Sequence, residues 1–516
     1  MSSYWQAISF AWFNKQRKVG YMRCQENVGG KWVRRDISRR RLLKHAGIAA
    51  AAVACRPWLA VADEISPAMA RLSAYMADAR NRALPEAVIE KTKHHVLDTI
   101  ASMVSGSELP PGRGAIQFAR TYGGEKICTV VGSNVLCGPI EAAMANGVLA
   151  QADETDDSHA PSLSHPGCAV VPSALAAGER FPTDGPQFLR AVALGYDVGT
   201  RISMTLGGQN FMNATHRDTH SLSEGFGAAA AAGSLAKLSA EQMRWLLDYA
   251  AQQSSGIAFW MRDSEHMEKA FVFGGMTARD GITAALLVQS GWTGVDDAFS
   301  GADNFLVASL PKADPAGLVD KLGERYEVVR TNIKKWTVGS PIQAPLDALD
   351  SIRKKHPFDA DQVKQVTVRI ATDEASVVNN REIPDICLQY MLAVMLIDKT
   401  ASFRAAHDNA RLHDPAVMRE RAKIQLIPDE DLEKLLPKRV SIVEVTLADG
   451  THLSERVDAV RGTAENPMGR EEVVTKANDL MSSILGASKS KSLIDKVLAL
   501  EGVKDIRELR PLLQRT

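Results

Sequence analysis

From about residue 65 to residue 310 the chain is rich in alanine and places its apolar residues at helical spacing, and nothing there alternates as a strand would. The period is plain in residues 84–105, 138–152, 168–177 and 188–206. The run GAAAAAG at residues 227–233 carries almost no side chain, so the backbones of neighbouring helices can approach closely there. A large, crowded, all-helical domain follows from these features.

The pattern changes near Arg325. Residues 326–332, 363–371 and 440–447 are β-branched and roughly alternating, and Asp449-Gly450 after the last is a hairpin turn signal. Helical patterns at 345–355 and 386–396 lie between them, which predicts a compact α+β domain. From Glu471 onward the pattern is helical again. The expected fold class is mostly α, divided as an N-terminal extension with an export signal (1–62), a helical domain (63–324), an α+β lid (325–462) and C-terminal helices that pack back on the helical domain (463–516). A chain of 516 residues has room for two or three such domains.

Lys plus Arg equals Asp plus Glu at 61 each, a balance that gives no reason to expect a nucleic-acid partner. Beyond the N-terminal region no apolar run reaches the roughly 20 residues that span a bilayer. The first residues read as an address. Ser38-Arg39-Arg40-Arg41-Leu42-Leu43-Lys44 resembles a twin-arginine export motif, residues 46–55 are moderately apolar, and Ala60-Val61-Ala62 offers a cleavage site before Asp63. Met22 is a candidate start, and Cys55 as a lipid-modified residue is the weaker reading because Ala52 stands where such signals place Leu. The expected location is the periplasm, with the twin-arginine translocase as a partner during export and no stable membrane association after cleavage. After cleavage Cys128, Cys137, Cys168 and Cys387 remain, without a CxxC pair, and read as buried thiols.

Residues 147–178 combine acids, hydroxyls and two histidines between two apolar helical runs. Glu154, Asp156, Asp157, Ser158, His159 and His165 crowd together, and Pro161 and Pro166 interrupt any helix, so a loop held between buried helices is the expected geometry. A merely solvated polar connection is the alternative. A metal bound by Asp156, Asp157, His159 and His165 is a weaker reading, since their spacing matches no familiar arrangement such as HExxH.

Residues 142–147 (AAMANG), the DETDDSH segment, His165-Pro166-Gly167, and Gly195-Tyr196-Asp197 with Arg201 together resemble the MmgE/PrpD family. Phe226-Gly227, Lys269 before Gly274, residues 290–294 (SGWTG) and Gln389-Tyr390 agree in order, so the resemblance covers about residues 65 to 500. It implies a helical domain plus an α+β lid with the site between them, usually in a homodimer. It also implies dehydratase, decarboxylase or epimerase chemistry on small polycarboxylates without a metal or organic cofactor.

Carried over by position, the resemblance places His165, Lys269, Tyr390 and His220 in the catalytic set, with His216 the alternative to His220. Glu154, Ser158, Asp157 and Lys334 would contact substrate. His165 would move the proton, because an imidazole titrates near neutrality. Lys269 and Lys334 would neutralise carboxylates and stabilise an enolate-like transition state. Tyr390 would donate to a carboxylate or a leaving hydroxyl. Two departures mark the pocket as altered: Gln151 stands where many relatives have His, and Trp336-Thr337-Val338-Gly339 after Lys334-Lys335 lacks the histidines expected there.

The leading expectation is a cofactor-independent lyase, with dehydration of the 2-methylcitrate type favoured. An epimerase, or a periplasmic carboxylate-binding protein without catalysis, are the alternatives. Replacing Arg39 and Arg40 by Lys is expected to hold the protein in the cytoplasm. Unchanged recovery from the periplasm after fractionation would rule out the twin-arginine reading.

Overall fold

A computed structural model describes Tyr21–Val28, Lys31–Ser38 and residues 65–515 apart from residue 311. Tyr21–Val28 (β1) and Lys31–Ser38 (β2) pair antiparallel with Tyr21 opposite Ser38, in a unit of their own. The arginines from Arg39 onward, the apolar stretch 46–55 with Cys55, and the cleavage site at residues 60–62 lie outside the described residues.

The helical layer contains Glu86–Gly106 (α1), Pro139–Ala150 (α2), Gly167–Arg180 (α3), Gly185–Leu206 (α4), Thr219–Leu235 (α5) and Met276–Gln289 (α6). Asp184 caps α4 by accepting from the Gln187 amide, and Gly207 ends it in the left-handed region. Along α5 every residue but Gly225 is buried, as suits a helix apolar on all sides. It packs backbone to backbone on α4. A Cβ at Gly199 would lie 2.2 Å from the Ser223 carbonyl oxygen, so the small residues predicted to admit close packing do so.

The helix that carries α6 begins earlier, at Met267–Ala270, and widens into a single π turn at Phe271–Gly275. At 23 residues, Met267–Gln289 is long and apolar enough to cross a membrane, which the sequence reading missed; most of it is buried here, with Ala270, Phe273 and Ile282 fully enclosed. The π turn crosses α2 so closely that a Cβ on Gly147 would sit 2.2 Å from the Gly274 carbonyl oxygen. This crossing fixes Lys269, one turn before Gly274, against the loop that leaves α2.

The smaller part is built on Val363–Ala371 (β3), Ile424–Asp429 (β4), Ser441–Leu447 (β5) and His452–Val457 (β6), in the order β4-β3-β5-β6. β3 and β4 are parallel, and the other two pairs are antiparallel. Ser340–Lys355 (α7) packs on β5 and β6, and Leu388–Asp398 (α8) on α7 and β4. Two expectations are corrected. Residues 326–332 contain a 3-10 turn at Glu327–Arg330 rather than a strand, because Glu327 is buried and draws Arg325, Arg330 and His159 around its carboxylate. α7 starts five residues before Pro345, which lies inside it.

Two apolar cores result. The first runs from Met69 to Ile333 and takes in Phe403 and the C-terminal helices, including Val473, Leu480 and Leu493; the second runs from Trp336 to Val445. Lys334 stands between them, and so does His407, just beyond Ala405 and Ala406 of the second core. Cys128, Cys137, Cys168 and Cys387 are free and buried.

Gly147→Ala is expected to lower stability by at least about 1–3 kcal/mol, the usual range for overpacking, because the obstructing atom is backbone. An unchanged urea midpoint in Gly147→Ala would refute the close crossing of α2 and the π turn.

Candidate active site

The loop 151–166 joins α2 to α3 at the seam between the two cores. It is no solvated connection: Asp156 and Asp157 are each 1% exposed, and residues 151–157 are all buried. Carboxylates taken out of water must find charge or donors, and each acid in this loop does so differently.

Asp157 turns inward. It meets His95 Nδ1 at 2.7 Å, Tyr196 Oη at 2.5 Å and the Gly167 amide at 2.9 Å, and burial is outweighed by these partners, so its carboxyl stays below the ordinary range. This tethers the start of α3 to α1 and α4. Asp156 turns the other way, to His165 Nδ1 at 2.9 Å and Lys334 Nζ at 3.4 Å. The Gln151 amide, with its nitrogen toward the loop, donates to the same acid. Burial pushes Asp156 up to about 7; Lys334 opposes this, and Asp157 and Glu154 add to it.

Burial, Lys334, His220 and Lys269 all hold the His165 imidazole well below its usual pKa, so the ring is neutral. With Asp156 ionised, Nδ1 donates to it and Nε2 carries the lone pair; with Asp156 protonated, the acid donates to Nδ1 and Nε2 carries the hydrogen. The His165 amide donates to Glu224 Oε1 at 2.6 Å, while burial and nearby Asp218 keep the Glu224 carboxyl well above its ordinary range. His220 lies beside His165, ring centroids 5.3 Å apart, stacked on Phe273 at 4.0 Å and held through Nδ1 by Asp218 at 2.9 Å. Trp260 donates to the same Asp218 oxygen at 3.0 Å.

Glu154 bonds Lys269 directly, and His266 Nδ1 lies 3.7 Å from the same carboxylate oxygen. The Lys269 ammonium also sits over the rings of Trp260 and Phe273, 5.5 and 5.4 Å from their centroids. Lys334 donates to the Glu154 carbonyl at 2.7 Å. Asp153 receives the Thr155 amide and hydroxyl and faces His407 Nε2 at 3.1 Å. The other nitrogen of His407 lies 2.8 Å from the Phe403 carbonyl oxygen, so both nitrogens face acceptors and the ring is an imidazolium. Burial alone would lower its pKa, but the hydrogen bond and charge of Asp153, with Asp385 nearby, raise it to about 9. Burial also pushes Asp385 up to about 7, His407 opposing.

The structure therefore gathers His165, His220, Lys269, Lys334 and Glu154 in one place, drawn from the loop, α5, the π-turn helix and the seam. It places the other expected residues elsewhere. The Asp157 carboxylate is occupied by the scaffold contacts above. Ser158 joins the loop to Asn332 through two backbone hydrogen bonds, at 3.0 and 2.8 Å, and its hydroxyl makes no hydrogen bond to the cluster among the described residues. Tyr390 is fully buried in the second core and donates to the Ala405 carbonyl at 2.8 Å. His216 is exposed, so His220 is the histidine beside His165. His159 is sequestered by Ser162 at 2.7 Å and Glu327 at 3.2 Å. Among the described residues no three His, Cys, Asp or Glu side chains form a metal-holding group.

Sequence reasoning gave Asp153 no role although it opens the DETDDSH segment, and it missed His266, Asp385 and His407, which no motif marks. It also missed Lys476 of the C-terminal helix Arg470–Leu485, whose Nζ reaches the Thr155 carbonyl at 2.9 Å and Asp98 at 2.6 Å and braces the loop from below.

Residues 70–317 match the MmgE/PrpD N-terminal domain and residues 336–501 the MmgE/PrpD C-terminal domain. The chain belongs to the MmgE/PrpD family. It is 26% identical over 465 residues to a cis-aconitate decarboxylase of Aspergillus terreus, covering 83% of this chain and 92% of that protein. It is 26% identical over 452 residues to the cis-aconitate decarboxylase of Homo sapiens, covering 84% and 91%. With the cis-aconitate decarboxylase-like protein oryM of Aspergillus oryzae it shares 24% identity over 476 residues, covering 86% and 96%.

The Asp153–His407 pair ties the loop to the second core and gives stability a pH signature. A histidine raised from 6.5 to about 9 contributes fully below the unfolded value, and the contribution is lost as pH rises through the folded one. A shift of that size corresponds to about 3 kcal/mol. The stability advantage of wild type over His407→Gln in urea titrations is expected to shrink by about that amount between about pH 6 and about pH 9.5. A difference independent of pH would contradict the imidazolium assignment.

Proposed function

We propose that this protein is a cofactor-independent lyase that removes CO2 or water from a small di- or tricarboxylate by proton transfer at His165. The observation that carries the reading is the Asp156–His165 pair: a neutral imidazole with Nε2 free, held at 2.9 Å by an acid that titrates at about 7, with Lys334 3.4 Å from that acid. Such a pair takes or delivers a proton near neutrality with little driving force lost.

Decarboxylation ranks ahead of the 2-methylcitrate type of dehydration, because the relatives aligned over most of the chain are named cis-aconitate decarboxylases. Loss of CO2 breaks a carbon–carbon bond and leaves its electron pair on carbon. Delocalisation of that pair into a remaining carboxylate builds negative charge, which Lys269 and Lys334 would stabilise electrostatically. With Asp156 protonated, as a carboxyl that titrates at about 7 is in part at neutral pH, its proton passes to His165 Nδ1 while the Nε2 proton of the neutral ring is delivered to the carbon, which closes the reaction. His220, on its Asp218 support, is the second donor at the same face.

The test is proton NMR of the mature protein in D2O with cis-aconitate, citrate, 2-methylcitrate and iminodisuccinate. Loss of CO2 or water from any of them supports the lyase. Deuterium exchange without net loss would assign an epimerase instead, and binding without exchange a carboxylate-binding protein. His165→Ala is expected to lower kcat about 10²- to 10⁴-fold, the usual contribution of a general acid or base, and full activity in His165→Ala would sink the assignment.

A further inference from the structure

The cations that would meet a substrate carboxylate are already matched by the protein's own acids. Lys269 bonds Glu154, Lys334 lies 3.4 Å from Asp156, and His407 lies 3.1 Å from Asp153, while Asp385 adds a further buried acid. The Lys269–Glu154 pair is well shielded from water, with 15% and 8% of the two side chains exposed. A ligand carboxylate that takes over this ion pair with Lys269 must replace the Glu154 carboxylate, since one that settled beside it would meet a like charge.

Glu154 is built for such an exchange. Its backbone is fixed, since Lys334 holds its carbonyl oxygen at 2.7 Å, whereas Lys269 is the sole hydrogen-bond partner of its carboxylate among the described residues. Beside that carboxylate oxygen, His266 Nδ1 stands 3.7 Å away, and the ring's Nε2 is buried without a partner. Lys269 and His266 thus converge on one carboxylate position, occupied at rest by an internal group.

Resting on the carboxylate reading above, we propose that Glu154 is a specificity determinant, a tethered competitor for Lys269 that admits ligands with two or more carboxylates and rejects monocarboxylates. The reason is effective concentration. A tethered group presents itself at millimolar or higher effective concentration, so a ligand with one carboxylate exchanges one for one with Glu154 and gains nothing at Lys269. A ligand with a second carboxylate adds a contact on the Lys334 side, where Asp156 stands off at 3.4 Å, and so gains what exchange with Glu154 alone does not give.

The sign of the effect separates this role from direct substrate contact. If Glu154 were a binding group, its removal would weaken binding. As a competitor its removal leaves a desolvated, unmatched ammonium, which binds anions more tightly. The experiment is calorimetric titration of the full chain and of Glu154→Gln with tricarballylate, an unreactive tricarboxylate, and with butyrate. Wild type is expected to bind tricarballylate and to give no heat with butyrate. Glu154→Gln is expected to bind tricarballylate about tenfold more tightly and to acquire butyrate binding. Equal or weaker tricarballylate binding by folded Glu154→Gln overturns the proposal, as does wild-type binding of butyrate as tight as that of tricarballylate. Should circular dichroism show Glu154→Gln unfolded, Glu154→Asp withdraws the carboxylate by one methylene and is expected to tighten binding in the same direction by a smaller factor. No tricarballylate binding by any of the three proteins overturns the carboxylate reading and this proposal with it; the reverse order of affinities overturns this proposal alone.

Discussion

Burying the acids of one short loop is the constraint around which this protein is arranged. Asp153, Glu154, Asp156 and Asp157 lie within five positions, all buried, and the desolvation of so many carboxylates is unfavourable unless each is matched. The matching groups come from the whole length of the chain: His95 from α1, Tyr196 from α4, Lys269 before the π turn, Lys334 from the seam, and His407 from the second core. The loop is thus the point at which distant segments are obliged to meet.

The acids divide the work by direction. Asp157, aimed into the helical layer, is saturated by donors and acts as a peg that fixes the start of α3. Asp156, its neighbour in sequence, faces the opposite way and keeps a carboxyl that titrates near neutrality against a neutral imidazole. Adjacent residues of the same type therefore differ in protonation behaviour because of what surrounds them, the general route by which one site obtains both an acid and a base. Asp153 and Glu154 carry the electrostatics outward, to His407 and Lys269.

Lys334 and His407 both lie where one core ends and the other begins. Side chains at such a seam keep their polar atoms out of either apolar interior while remaining shielded from water, which is the setting in which a charge acts most strongly on a neighbour. The C-terminal helix contributes from a third side, since Lys476 reaches the Thr155 carbonyl and Asp98 beneath the loop. These contacts make the geometry of His165 depend on residues separated from it by hundreds of positions.

Local sequence determined the helices and their close packing, because alanine and glycine at helical spacing permit few other arrangements, and Pro161 and Pro166 kept the acidic stretch from running on as one helix between α2 and α3. It also marked His165 and Lys269 through their glycine and proline neighbours. Other assignments needed the tertiary structure. The β-branched run at 326–332 was drawn into a 3-10 turn by the burial of Glu327, and β4, short and containing Pro428, exists because β3 offers it a parallel partner. Whether Asp156 or Asp157 would serve His165, whether Tyr390 would face the site or the second core, and which cation would meet Glu154 are questions of direction in space. The sequence determined that four acids would share one loop; only the folded chain decided which partner each would face, because the partners lie far apart along the chain and pairing is set by where packing brings them.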